Sequence, residues 1–126
     1  MRVLLIDDEQ MVRKIVRKML ERSGHEVTEA ENGRLGLEQL KSGTFDLVIT
    51  DIIMPEMEGV ETLMTVREQY PSVKVIAMSG GGRTGNIDFL SAAEKLGASA
   101  ILHKPFTLGS LTAAIETTFG GTQKAS

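Results

Sequence analysis

Val3-Leu4-Leu5-Ile6-Asp7-Asp8 is the stretch that decides the architecture. Its four apolar residues are rich in β-formers, too few for a helix, and polar on neither face. Such a run reads as a strand covered on both sides. Two carboxylates follow it at once. Phe45 to Thr50 and then Asp51 repeat the arrangement, and Val73 to Met78, followed by Ser79, gives a third apolar run.

The segments between these runs have helical period. Met11, Val12, Ile15, Val16, Met19 and Leu20 form a stripe that begins after Glu9 and closes at Ser23-Gly24. Leu35, Leu37 and Leu40 follow an Asn32-Gly33 turn signal, and Gly59 to Tyr70 carries Val60, Leu63, Met64 and Val66 before Pro71. Ile87, Leu90, Ala93 and Leu96 line a fourth helix ended by Gly97; Leu108, Leu111, Ile115 and Phe119 line a fifth. Val27 to Ala30 and Ala98 to Leu102 complete five strands, the former weakly alternating as an edge strand does. Strands alternating with helices predict an α/β fold, and right-handed crossovers favour a doubly wound parallel sheet with helices on both faces. One domain over residues 1–120 is expected, with a flexible tail over 121–126.

Composition narrows the function. The chain has 126 residues, with 14 Lys and Arg against 17 Asp and Glu, a net charge of −3. That balance gives no bulk case for binding nucleic acid. The absence of cysteine excludes disulfides, thiolate metal sites and cysteine nucleophiles. No apolar run is long enough to span a bilayer, and Arg2 alone precedes the first one, so a cytoplasmic domain without a signal peptide is expected. Ser79-Gly-Gly-Gly-Arg-Thr-Gly85 lacks the Gly-Lys-Ser/Thr ending of a phosphate-binding loop, and reads as mobile backbone around Ser79.

In open parallel sheets, ligands bind beyond the carboxyl ends of the strands. Those positions here hold Asp7 and Asp8, Asp51, Ser79, and Lys104. Each has an ordinary reading: helix capping for the aspartates, turn chemistry for the serine, a solvated surface lysine. Together they suggest more. Three acids gathered without a cation repel one another, and a hard divalent ion relieves that. An ammonium reaching Asp51 beside such an ion suits a phosphoryl group, whose transfer depends on positioning and charge stabilisation.

These residues resemble the receiver domain of bacterial two-component response regulators, the CheY-like family. The likeness runs from Arg2 to about Phe119. It rests on Asp7-Asp8, on Asp51-Ile-Ile-Met-Pro-Glu-Met-Glu-Gly59, on Ala77-Met-Ser79 and on Lys104-Pro105-Phe106. The resemblance implies a flavodoxin-like (βα)5 fold with strand order 2-1-3-4-5. It implies that Asp51 accepts a phosphoryl group from phosphohistidine on a sensor histidine kinase or a histidine phosphotransfer protein. Mg²⁺ would be held by Asp8, Asp51 and the backbone carbonyl of Ile53, with Asp7 acting through a metal-bound water. Lys104, after a cis bond to Pro105, would pair with the phosphoryl oxygens, and Ser79 would move inward to bond them. One departure stands out: Ile101 occupies the place where such receivers usually carry Tyr or Phe, so switching is expected to rest on ordering of the glycine-rich loop.

Starting at its first strand and ending after its last helix, the chain reads as a stand-alone receiver acting through an unknown downstream protein, neither a membrane nor a DNA binder. Arg13, Lys14, Arg17, Lys18 and Arg22 on the first helix read either as a solvated face or, with Met11 and Ile15, as a dock for the kinase's helical domain. Met54, Met57, Met64 and Met78 read as gap fillers, and His25 and His103 as structural. Ile53 and Gly81 offer no polar group to orient water, so slow loss of the phosphoryl group is expected. Two alternatives stay open: a receiver-like interaction module that is never phosphorylated, and a Mg²⁺-dependent phosphatase using Asp51 with Glu56 or Glu58 as the acid.

Overall fold

The computed structural model describes residues 1–51, 58–79, 97–104 and 106–119. The strands are β1 (Arg2–Ile6), β2 (Glu26–Ala30), β3 (Leu47–Asp51), β4 (Lys74–Ser79) and β5 (Ala100–His103). The described helices are α1 (Gln10–Arg22), α2 (Gly33–Ser42), α3 (Glu58–Gln69) and α4 (Leu108–Phe119). The expected helix through Ile87 and Leu96, the glycine-rich loop after Ser79 and the tail 121–126 lie outside the described residues.

All four strand pairs are parallel, in the order β2-β1-β3-β4-β5. The solid apolar runs divide between two cores because successive side chains point to opposite faces. Leu4, Ile6, Val48, Val75 and Ala77 pack with Leu40 of α2 and with Leu63 and Val66 of α3. Val3, Leu5, Leu47, Ile49, Ile76 and Met78 pack with Val16 and Leu20 of α1 and with Leu111 of α4. Leu4, Leu5 and Ile6 are each fully buried, and each contributes about 1.5–3 kcal/mol by leaving water. The sheet is therefore held from both sides, and the acids stand at the ends of two inner strands, Asp7 just after β1 and Asp51 closing β3.

Boundaries moved for local reasons. Phe45 is buried but lies ahead of β3, whose parallel register begins at Val3↔Leu47 and runs on to include Asp51. Ala98 likewise precedes β5, which pairs from Ile76↔Ala100. Asn32 lies in the bend between β2 and α2 and also caps α2, its Oδ1 accepting the Leu35 N–H at 2.8 Å. Neither Asp7 nor Asp8 caps α1; the cap position is Glu9, without a side-chain bond to the helix. Gly24, at φ +90°, closes α1 in the left-handed conformation, with the His25 N–H bonding back to Leu20.

Candidate functional site

Chain order reverses between β1 and β3, because β1 leads to β2 on one side while β3 leads to β4 on the other. A crevice opens at the carboxyl ends of such a pair. Asp7 and Asp8 leave β1 there, and Asp51 is the last residue of β3. One oxygen from each of the three carboxylates lies within 4.8 Å of the other two. Asp7 and Asp51 are buried, whereas Asp8 faces solvent.

Lys104 enters this cluster from the end of β5. Its Nζ donates to Asp7 Oδ2 at 2.6 Å and to Asp51 Oδ2 at 2.8 Å, and stands 3.9 Å from Glu9 Oε1. Burial disfavours the ammonium, but the hydrogen bonds to Asp51 and Asp7 outweigh it and raise the lysine's pKa above its ordinary 10.5. Its place at a strand end points Lys104 toward Asp51. The shorter bond goes to Asp7, because the loop leaving β1 sets that carboxylate inward.

The loop itself is tightly bonded. The Asp7 N–H donates to the Ala30 carbonyl at 3.2 Å, and Asp7 Oδ1 accepts the Glu9 N–H at 2.8 Å. Arg13 Nη1 donates to the Asp7 carbonyl at 2.7 Å while its Nε holds Glu29 Oε1 at 3.0 Å. Arg17 Nη1 reaches Glu29 Oε2 at 2.8 Å and its Nε reaches Glu21 at 2.9 Å. Two of the five helix bases are thus engaged with β2 or their own helix. Among the described residues no ion pair engages Lys14, Lys18 or Arg22. Only the i, i+4, i+8 spacing of Arg13, Arg17 and Glu21 signalled a polar seam; its partner, Glu29, follows from how α1 packs.

Beside Lys104 lies a groove of about 360 Å³, walled by Val12, Ile15, Met19 and Phe106, with Glu9 and Lys104 at its site end. Ile15 in its wall is 51% exposed, and Met11, also on α1, is 68% exposed. Ser79 ends β4, paired in register with His103, which is exposed. Ile101 is half-buried against the core that contains Val75 and Ala77. Glu58 opens α3, while Ile53, Met54, Glu56, Met57, Gly81 and Pro105 lie outside the described residues. His25 Nδ1 lies 3.2 Å from the Met1 amine. Burial first, and that amine second, hold the imidazole below its ordinary 6.5.

Three carboxylates against one ammonium form an oxygen-only, net negative donor set, chemistry that fits a hard divalent cation. No described helix is long and apolar enough to cross a membrane.

Comparison with known proteins agrees with this geometry. The family described as response regulator receiver domain matches residues 3–116. The response regulator receiver protein CpdR of Brucella abortus is 34% identical over 116 residues, spanning 91% of this chain and 93% of that one. The chemotaxis protein CheY of Thermotoga maritima is 35% identical over 106 residues, 83% of this chain and 86% of that one. A protein-glutamate methylesterase of Trichodesmium erythraeum is 37% identical over 117 residues, but they span only 33% of its length. Among solved structures, a response regulator receiver domain from Clostridium thermocellum superposes with a TM-score of 0.86 at 31% identity, covering 99% of this chain and 98% of that one. The response regulator TrrA of Thermotoga maritima, in complex with Mg(2+)-BeF, gives 0.80 at 29% identity, covering 94% and 98%. The five-stranded order and the match over most of the chain make it a member of the response regulator receiver domain family.

Proposed function

We propose that this receiver is a phosphorylation-controlled switch in which Asp51 accepts a phosphoryl group from phosphohistidine. The donor is a sensor histidine kinase or a histidine phosphotransfer protein. The observation that carries this reading is the Lys104 ammonium bonded to both Asp7 and Asp51, with Asp8 alongside. Asp7, Asp8 and Asp51, with the backbone carbonyl of Ile53, would hold Mg²⁺, and a Mg²⁺ site is supported by the related TrrA, whose structure is a complex with Mg(2+)-BeF. Bound Mg²⁺ supplies positive charge to the phosphoryl oxygens and to the acids around it.

The chain's own groups divide the remaining work. An Asp51 oxygen attacks phosphorus, a P–O bond forms as the P–N bond breaks, and the donor imidazole leaves with the electron pair. Lys104 exchanges its bond to Asp51 for one to a phosphoryl oxygen, so the ammonium is in place before the new charge arrives. Ser79, at the end of β4, donates its hydroxyl to a second phosphoryl oxygen. The apolar groove beside Lys104, with exposed Met11 and Ile15, receives the helical surface that presents the donor histidine. The resulting change at the surface is read by a downstream protein.

Incubation with acetyl phosphate and Mg²⁺, followed by mass spectrometry, tests the reading. A phosphate adduct is expected that survives acid, is lost to hydroxylamine, and is absent in Asp51→Asn. No adduct would establish a phosphorylation-independent module instead, and steady turnover of assorted phosphate esters would establish a phosphatase.

A further inference from the structure

Asp8 is exposed, and among the described residues no hydrogen bond or ion pair fixes its carboxylate. Its position is set by the backbone of the β1–α1 loop. That backbone is held at three points: the Asp7 N–H, the Glu9 N–H, and the Asp7 carbonyl. The third belongs to the peptide plane that leads into Asp8, and its side-chain partner is Arg13 Nη1 at 2.7 Å. Rotation of this plane swings the Asp8 carboxylate toward or away from Asp7 and Asp51.

Arg13 is suited to hold the plane. Its side chain is 15% exposed, and its Nε is anchored on Glu29 at 3.0 Å. Glu29 is anchored in turn by Arg17 at 2.8 Å, on the edge strand that also receives the Asp7 N–H through Ala30. A planar guanidinium fixed at one nitrogen presents the others in a set direction, which an ammonium does not.

We infer that Arg13, braced by Glu29, is a positioning residue for the divalent-cation site, fixing the Asp7–Asp8 peptide so that Asp8 faces Asp7 and Asp51. The inference rests on the proposed reading that these acids hold Mg²⁺. It has a sign that separates it from simple electrostatics. Arg13 is a cation near a cation site, so by charge alone its removal strengthens metal binding. Loss of positioning weakens it.

The test is Mn²⁺ binding followed by electron paramagnetic resonance, with Mg²⁺ affinity from competition, in the wild type, Arg13→Gln and Arg13→Lys. Arg13→Gln is expected to weaken both ions about tenfold, the scale of lost support behind metal ligands. Arg13→Lys, which keeps the charge without the fork, is expected to recover only part of that. The Mg²⁺ concentration for half-maximal labelling by acetyl phosphate should rise more than the maximal rate falls, a split that general destabilisation does not produce. Unchanged or tighter Mn²⁺ binding by Arg13→Gln overturns the inference. If that variant does not fold, wild-type affinity in Arg13→Lys overturns it instead. A wild type that binds neither ion removes the proposed metal site itself, a different failure.

Discussion

Lys104 Nζ and Asp7 Oδ2, 97 positions apart in the chain, lie 2.6 Å apart in the fold. This bond joins the ends of β5 and β1, which β3 and β4 separate in the sheet. The ammonium also neutralises part of the buried charge on Asp51. Lys104→Ala leaves both buried carboxylates without it, and removal of one partner from a buried ion pair costs about 3 kcal/mol or more. Thermal melts in EDTA should show the loss, and saturating Mg²⁺ should stabilise the variant more than the wild type. A variant that melts with the wild type in EDTA would show that the bond carries little of the fold.

Asp8 is the opposite case. It adds a third negative charge beside Asp7 and Asp51 but has no ammonium of its own among the described residues. Asp8→Asn relieves like-charge repulsion and should raise Tm in EDTA. The same variant should lose most of the stabilisation that Mg²⁺ gives the wild type. A lower Tm in EDTA would mean that the carboxylate is bonded in a way its charge does not explain.

Much of this arrangement was legible in the sequence, and the limits are instructive. The apolar runs ending in Asp7 and Asp51 placed both strands, because burial on two faces leaves little choice but a parallel sheet. Lys104 was readable as a partner for Asp51, since both end strands on one edge. Its bond to Asp7 was not readable, because it depends on how the β1–α1 loop turns after Ile6. The seam that Arg13 and Arg17 make is hidden for the same kind of reason, since in the sequence they read only as a solvated face or a docking rim. A helix stripe gives the face, whereas their acceptor, Glu29, comes from an edge strand whose side-chain directions are fixed by pairing with β1.

Glu29 gives a pH dependence of defined sign. The hydrogen bond from Arg17 holds its carboxyl below the ordinary 4.5, burial opposes this, and the bond from Arg13 assists. A depressed folded-state pKa contributes stability above 4.5 that is lost as pH falls through the folded value. Glu29→Gln should therefore be less stable than the wild type at neutral pH, with the gap closing below pH 4.5. Chemical denaturation at several pH values measures it. A gap that stays constant into acid would mean that the Arg13 and Arg17 bonds do not depend on the carboxylate charge.

Gly36 ties helix packing to the site. A Cβ there would meet Ile6 Cδ1 and Cγ1, inside contact distance, and Ile6 is the fully buried residue just before Asp7. The close approach of α2 to β1 requires the missing side chain. Gly36→Ala should cost roughly 1–3 kcal/mol, the scale of overpacking in a filled core. Shortening the neighbour should restore part of it, so Ile6→Val with Gly36→Ala should be more stable than the two single losses predict. Strict additivity in urea melts would show that the strain is relieved elsewhere.

The α1 bases that make no ion pair among the described residues bear on the proposed recognition of the phosphoryl donor. Lys14 and Lys18 flank exposed Ile15 beside the groove, whereas Arg17 is engaged by Glu21 and Glu29. Reversing Arg17 would disturb the seam to β2 as well as the surface. Lys14→Glu with Lys18→Glu changes the surface alone, and charge at the rim of an interface acts mainly on the association rate. Transfer from a cognate kinase at low salt should slow about tenfold, the lower end of electrostatic steering, with the difference shrinking as salt rises. Labelling by acetyl phosphate, which needs no docking surface, should change little. Equal slowing with both donors would place the effect at Asp51 itself and remove α1 from partner recognition.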